Sequence, residues 1–597
     1  MSISRKLSEC RRWFRHQTIV GILLILGFVT FIAYLNTTTD LSSQKNGESI
    51  RLPANRESGS WANEELPGES DPRTIMTPDQ LGNFEVPMPP KTDEPGDYGE
   101  PVRVDGSEAE VQRAMNEFGF NTYVSDMISL NRTIPDVRMS ECKYWQYPVD
   151  LPTASVVIAF HNEGWSPLLR TVHSVLLRSP SHLIKEVILV DDFSSKEHLK
   201  SRLDEYIEKF GGKIKLIRNA EREGLIRTRT IGAKAATGDV VIFLDAHCEV
   251  NYNWLPPLLA PIRHNRKVMT VPVIDGIDMN TWEYRRVYGD ADRHFRGIFE
   301  WGLLYKETEI SPEEKKRRKF NSEPFRSPTH AGGLFAIEKK WFEELGYYDP
   351  GLQIWGGEQY ELSFKIWQCG GGILFVPCSH VGHVYRNHMP YGFGKLSGKP
   401  VISTNMLRVI KTWMDEYEKY YYIREPAAIK REWGDISAQL ELRKSLNCKP
   451  FSWFMKYVAY DVPKSYPLLP DNDVWGEAEN PTTGKCIDTL GNPVPGIVGA
   501  SVCHHFGGNQ VIRLNKAGQM AQGEWCISPS GKHLMTNHCH KGTVDGPYKY
   551  DRSTQQIRDH HRDICLAVSS DVGSTDLHQI ACDESDPYQK FVWTEKY

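Results

Sequence analysis

Two side chains at the end of one apolar run have the spacing of a metal grip. Asp245 and His247 close VVIFLDAH, and in a strand positions i and i+2 face the same way, so both can meet one ion. An oxygen beside a neutral imidazole suits Mn2+, which also accepts pyrophosphate oxygens and would neutralise charge on a departing nucleoside diphosphate. Taken alone, Asp-x-His equally describes a turn aspartate beside a structural histidine. Its setting weighs for the metal, because the carboxylate pair Asp191-Asp192 ends another apolar run and Asn162-Glu163 follows a third. His383, in HVGHVYRN, is the candidate third ligand, with a core histidine as the plain alternative. Its neighbours Arg386 and Tyr391 could reach phosphate oxygens, the arginine through charge-assisted bonds.

The elements that must position these residues alternate. ASVVIAF at 154–160, EVILVDD at 186–192, KIKLIR at 213–218 and DVVIFLDAH at 239–247 are short β-branched runs. Amphipathic stretches, LLRTVHSVLLR and GLIRTRTIGAKAATG, stand between them. Strand, helix, strand at this spacing implies βαβ units and a largely parallel sheet, an α/β nucleotide-binding domain whose ligand lies beyond the C-terminal strand ends.

At 597 residues the chain exceeds what one core organises, and a net charge of -5 offers no electrostatic case for nucleic acid. Residues 17–35, QTIVGILLILGFVTFIAYL, are long enough to cross a bilayer. Arg5, Lys6, Arg11, Arg12 and Arg15 precede them, so residues 1–16 are expected in the cytosol and the rest in a lumen. The run exceeds a typical signal-peptide core and no clear cleavage site follows, which favours an uncleaved type II anchor. Asn36-Thr37-Thr38 and Asn131-Arg132-Thr133 are sequons compatible with that compartment. Residues 36–115 are rich in Pro, Glu, Asp, Gly and Ser without an apolar period, and read as a flexible stem. A catalytic domain over 116–455 and a Pro-rich linker over 456–475 follow.

From 476 to 597 helical periodicity fades and cysteines recur in pairs about 40 residues apart: Cys486 and Cys503, Cys526 and Cys539, Cys565 and Cys582. Three all-β repeats, each closed by its own disulfide, are expected.

The set FHNEGWSPLLRTVHSV, VILVDD, REGLIRTR, FLDAHCE, AGGLFAI, WGGEQYELSFKIWQCGG and PCSHVGHVYR resembles the polypeptide N-acetylgalactosaminyltransferases, from about residue 116 to the C-terminus and in the same order. The resemblance implies a GT-A catalytic fold with a ricin-type β-trefoil lectin domain, in a single-pass Golgi membrane enzyme. It implies retaining transfer of GalNAc from UDP-GalNAc to Ser or Thr hydroxyls of proteins and glycopeptides. By the same resemblance Asp245, His247 and His383 are the Mn2+ ligands, and Asp192 and Arg222 hold the uridine and its ribose. Ala246 touches the nucleotide through its backbone, Gly332 and Trp355 line the sugar and acceptor region, and Glu358 faces the reacting sugar. Arg386 and Tyr391 match a loop that closes over UDP. No conventional general base stands out, and the family suggests a front-face displacement in which a UDP phosphate oxygen takes the acceptor proton. Cys142 with Cys378 and Cys369 with Cys448 are the further pairs it implies, leaving Cys248 free. Gln359, where the family has Asn after WGGE, together with HNEGW and VDDFS, places the chain nearest the glycopeptide-preferring members.

A ricin-type sugar site needs an Asp that accepts hydroxyl bonds and an Asn on the same lobe. The first repeat has Asp488, His504 and Asn509 as candidate GalNAc ligands, whereas Ser528 and Ala567 replace the Asp in the second and third. The trefoil could also be a folded spacer. Two alternatives to the transferase stay open: a lectin-like pseudoenzyme, and a luminal transferase using another UDP-sugar.

Overall fold

The computed structural model describes residues 81–82, 84–287 and 293–595. The expected anchor at 17–35 and the first part of the expected stem lie outside them. Among the described residues no helix is long and apolar enough to cross a membrane.

The expected catalytic half is built on a mixed sheet. Its main path runs, in space, 325–326, 372–384, 268–277, 335–338, 240–245, 154–160, 184–191 and 214–218. The runs read as strands are strands, and Ala154–Phe160 pairs parallel with both Ile184–Asp191 and Val240–Asp245. Val157, Ile188, Val241 and Phe243 are fully buried in one layer, and Val156, Leu189, Ile242 and Leu244 in the other, which is why these strands read as continuous apolar runs rather than alternations. Chain order reverses at Ala154–Phe160, so the loops after three neighbouring strands, carrying Glu163, Asp192 and His247, open at one edge. The sheet is less parallel than its βαβ spacing implies. Phe335–Glu338 runs antiparallel to both of its neighbours, inserted from a segment whose sequence lacks the βαβ rhythm.

The flexible-stem reading of 36–115 ends too late. Asp97 is buried and accepts four hydrogen bonds, from the backbone N and Oγ1 of Thr92 (2.6 and 2.9 Å) and of Thr133 (2.7 and 2.6 Å). Helix Glu108–Phe118 then buries Ala114, Met115 and Phe118, and Gly119 ends it with φ +77°. A polar, Pro- and Gly-rich stretch has no apolar period to betray it when hydrogen bonds to a single buried carboxylate hold it.

All five expected disulfides are present: Cys142–Cys378, Cys369–Cys448, Cys486–Cys503, Cys526–Cys539 and Cys565–Cys582. Cys248 is free and buried, and burial pushes its thiol well up, so it is a packing group rather than a reactive one. The trefoil begins with strand Asn472–Asn480, a little before residue 476, and that strand pairs with the last one, Val592–Thr594, to close the barrel. Ile487, Val498, Ile512, Leu534, Ile557, Leu566 and Phe591 fill its core.

Burial alone would raise the Asp97 pKa, but its hydrogen bonds outweigh that and bring it down to about 2. A depressed folded pKa contributes stability above the ordinary value of 3.8, lost as pH falls toward about 2. Asp97→Ala should strip hydrogen-exchange protection from amides 92–100 at neutral pH while leaving strand 154–160 protected. In the parent the same amides should lose protection selectively between about pH 4 and pH 2. Unchanged protection of 92–100 in the variant would refute the anchoring role.

Candidate active site and lectin pocket

The register of one strand pair assembles the metal candidates. Cys248–Val250, directly after His247, pairs antiparallel with Gly372–Val384, which sets His383 opposite Cys248. His383 Nε2 lies 3.4 Å from Asp245 Oδ2, and the His247 and His383 ring centroids are 4.9 Å apart. The three donors adjoin without yet surrounding one point: among the described residues no group of three or more His, Cys, Asp or Glu side chains is arranged to hold a metal.

The chemistry of the donor set nevertheless fits a divalent ion. Burial opposes ionisation of Asp245, but a hydrogen bond from His383 and the charge of Arg229 hold its carboxyl well below the usual range. Burial pushes the His247 imidazole down from its ordinary value against the pull of Glu163. Its Nδ1 lies 3.0 Å from Glu163 Oε2, so Nδ1–H donates there and Nε2 keeps its lone pair for a metal. His383 Nδ1 is buried without a hydrogen-bond partner.

Several of the residues that organise this site carry no assignment in the sequence reading. Arg229, fully buried, donates from Nη2 to Asp245 Oδ1 (2.8 Å) and from Nη1 to the Gly332 carbonyl (2.6 Å), tying the metal strand to the AGG loop. Only its place in REGLIRTR marked it. Gly332 has φ +102°, a region that suits glycine, and a Cβ on Gly333 would stand 2.8 Å from Asp245 Oδ2. Glu163, 3% exposed, serves two groups, since Arg386 Nη2 donates to the same Oε2 at 2.6 Å. Its position at a strand end was visible, but its partners were not.

Asp192 is pinned by backbone N–H groups of Glu223 (2.8 Å) and Gly224 (2.9 Å) and pairs with Arg222. The Arg222 and Arg386 guanidinium carbons lie 5.5 and 6.0 Å from the Tyr391 ring centroid, so two cations flank the ring that the sequence reading placed in a closing loop. Burial and the Arg222 charge push His161, beside Tyr391, down to about 4. Ala246 is buried behind the motif. Trp355 is 39% exposed, following Ile354 at φ +50°. Glu358 is buried, accepts from the Gly356 backbone N at 2.8 Å, and has its carboxyl raised by burial.

In the first trefoil repeat Asp488 is buried and already accepts from the backbone N of Leu490 (2.6 Å), Gln510 Nε2 (2.8 Å), Asn509 Nδ2 and Ser501 Oγ. His504 Nε2 lies 3.1 Å from Asn509 Oδ1, so Asp488, Asn509 and His504 form one chain of contacts. Phe506 stacks on His504 (5.7 Å between centroids, 20° between planes) and is 92% exposed, an apolar platform that CHHFGGN carried without being singled out. Ala567 is buried in the third repeat.

Gly333→Ala should press a methyl on Asp245, and Glu163→Gln should weaken the hold on His247. Each is expected to lower affinity for a divalent metal by about 10- to 100-fold. Calorimetric titration beside far-ultraviolet circular dichroism tests this; parental affinity in both folded variants would remove the assigned geometry.

Comparison with known proteins gives the family. Residues 155–345 match the family described as glycosyl transferase family 2, 316–389 the N-terminal domain of galactosyltransferase, and 474–591 the ricin-type beta-trefoil lectin domain. A Caenorhabditis elegans protein called probable N-acetylgalactosaminyltransferase 7 is 60% identical over the whole of both chains. The Homo sapiens N-acetylgalactosaminyltransferase 7 is 46% identical over 87% of this chain and 80% of its own. The crystal structure of GalNAc-T7 with UDP, GalNAc and Mn2+ is similar at a TM-score of 0.82 and 45% identity, covering 88% of this chain and 97% of that one. With the catalytic and lectin halves both matched at this identity, the chain belongs to the N-acetylgalactosaminyltransferase family.

Proposed function

We propose that this chain transfers GalNAc from UDP-GalNAc to Ser or Thr hydroxyls of proteins, with retention, preferring acceptors that already bear GalNAc. The observation that carries the reading is the adjacency of Asp245, His247 and His383 beyond the strand ends, with Glu163 against the His247 Nδ1. Mn2+, present in the similar crystal structure, would supply charge neutralisation on the pyrophosphate when held by these three residues. The chain's own groups divide the rest. Asp192 and Arg222 sit where the uridine is held, and the guanidiniums of Arg222 and Arg386 can face diphosphate oxygens. Tyr391 closes over them and keeps water out. Glu358 and Gly332 shape the sugar subsite, and Trp355 offers the acceptor an exposed indole. Without a conventional base, the acceptor proton passes to the diphosphate oxygen that leaves, on the same face of the sugar.

The type II anchor at 17–35 and residence in the Golgi membrane belong to the same proposal, supported by the basic flank and the apolar run. So does GalNAc binding by Asp488, His504 and Asn509 of the first repeat.

The deciding experiment gives the purified chain UDP-GalNAc and Mn2+, and follows transfer by mass spectrometry to a naked Ser/Thr peptide and to the same peptide bearing one GalNAc. Transfer to the glycopeptide alone is expected; equal transfer to both would refute the preference, and transfer to neither would leave the lectin reading. Asp245→Ala or His247→Ala should reduce turnover by at least about 1000-fold, the scale of a lost metal centre. Asp488→Ala should slow use of acceptors distant from an existing GalNAc and spare the others.

A further inference from the structure

The strand Gly372–Val384 reaches the metal candidates only after a break in its register. Gly372 to Val376 lie opposite Val268 to Pro272, and His380 to Val384 opposite Val273 to Ile277. Pro377, Cys378 and Ser379 therefore bulge out between two neighbouring residues of the partner strand. A bulge bends its strand and re-aims the side chains beyond it, and here those side chains include His383.

His380 holds the point where pairing resumes. Its ring is buried, with Nδ1 2.9 Å from Asp275 Oδ2 and Nε2 3.0 Å from the Pro377 carbonyl oxygen. Both partners are acceptors, so the ring serves the two together only by donating from each nitrogen, as an imidazolium beside a carboxylate. Asp275, buried on the partner strand, also accepts from the Tyr284 hydroxyl at 3.0 Å and from the Val287 backbone N at 3.4 Å. The His380 carbonyl accepts from the Asn251 backbone N at 2.9 Å, just past the short strand Cys248–Val250. One residue thus ties the bulge to the strands on either side.

Tyr284 carries that hold toward the metal ligands. A Cβ on Gly382 would stand 2.3 Å from Tyr284 Cε2, so the ring lies directly on the backbone beside His383. Side chains alternate along a strand, so His380 and His383 point to opposite faces, and the first acts on the second through this backbone.

We propose that His380, bonded to Asp275 together with Tyr284, is a positioning residue for His383: it fixes the bulge at 377–379 and so the placement in which His383 meets Asp245 and His247. The inference rests on the reading of those three as metal ligands. A buried carboxylate that loses its cation has no water to replace it, so the strand end must shift to relieve the charge.

The test uses the full chain, with His380→Gln, His380→Arg and Tyr284→Phe. Glutamine donates from one amide and leaves Asp275 without a cation, whereas arginine donates in both directions and restores the charge. In calorimetric titration His380→Gln should weaken Mn2+ binding by at least about 10-fold, the scale of a lost supporting bond. Tyr284→Phe, which removes one hydrogen bond, should weaken it by about threefold, and His380→Arg should stay within about threefold of the parent. With Co2+ in place of Mn2+, the visible ligand-field bands should shift in His380→Gln and return in His380→Arg, a signature that lost stability alone does not move. Hydrogen exchange should quicken at amides 251 and 380–384 in His380→Gln while strand 154–160 stays protected. Parental Mn2+ affinity and parental cobalt bands in folded His380→Gln would overturn the positioning role, as would equal losses in His380→Gln and His380→Arg. Should His380→Gln not fold, Tyr284→Phe decides in its place by the same readouts. A parent that binds neither ion would sink the metal reading instead; exchange at 380–384 then decides, and unchanged exchange still overturns the hold on the strand end.

Discussion

One buried carboxylate holds the catalytic site together. Glu163 presents a single oxygen, Oε2, to the imidazole of a metal candidate and to the arginine of the expected closing loop. An ion removed from water costs several kcal/mol unless paired, so this carboxylate requires Arg386 or an equal cation beside it. The pairing therefore links the state of the 386–391 loop to the tautomer of His247. The N-terminal helix joins this arrangement through the loop's backbone: the Gly119 carbonyl accepts from the Asn387 N at 3.2 Å.

Distance along the chain is bridged by sheet register. His383 reaches Asp245 because Gly372–Val384 lies between Val268–Ile277 and the short strand Cys248–Val250, with Gly382 opposite Glu249 and His383 opposite Cys248. A slip of one residue would turn His383 to the other face and abolish the grip. The Cys142–Cys378 bridge clamps the same strand six residues before its end, and Arg132 holds Glu249 on the paired strand with bonds of 2.7 to 3.1 Å. These are the supports that keep a catalytic register from sliding.

The trefoil shows how repeats diverge when fold and binding rest on different residues. Each repeat keeps its disulfide and its share of the core, while the carboxylate of Asp488 recurs as Ser528 and Ala567. Asp488 has most of its acceptor capacity engaged by Asn509, Gln510, Ser501 and the Leu490 backbone. Asp488 thus aims Asn509, and beside the pair a half-buried His504 carries the exposed ring of Phe506.

By itself the sequence determined what local chemistry determines. Continuous β-branched runs made the strands legible, the i and i+2 spacing put Asp245 and His247 on one face, and paired cysteines marked three repeats. Long motifs carried the family and with it the expected roles of Asp192, Arg222 and Arg386. Tertiary structure decided whatever depends on neighbours distant in sequence. Arg229 and Gly333 gain their meaning from Asp245, and Glu163 from His247 and Arg386. Thr92 and Thr133 turn a stretch that reads as flexible stem into a docked turn around Asp97. The physical reason is the same in each case: a buried charge has no stable conformation of its own, and its place is chosen by counter-charges and donors that only the folded chain brings within reach.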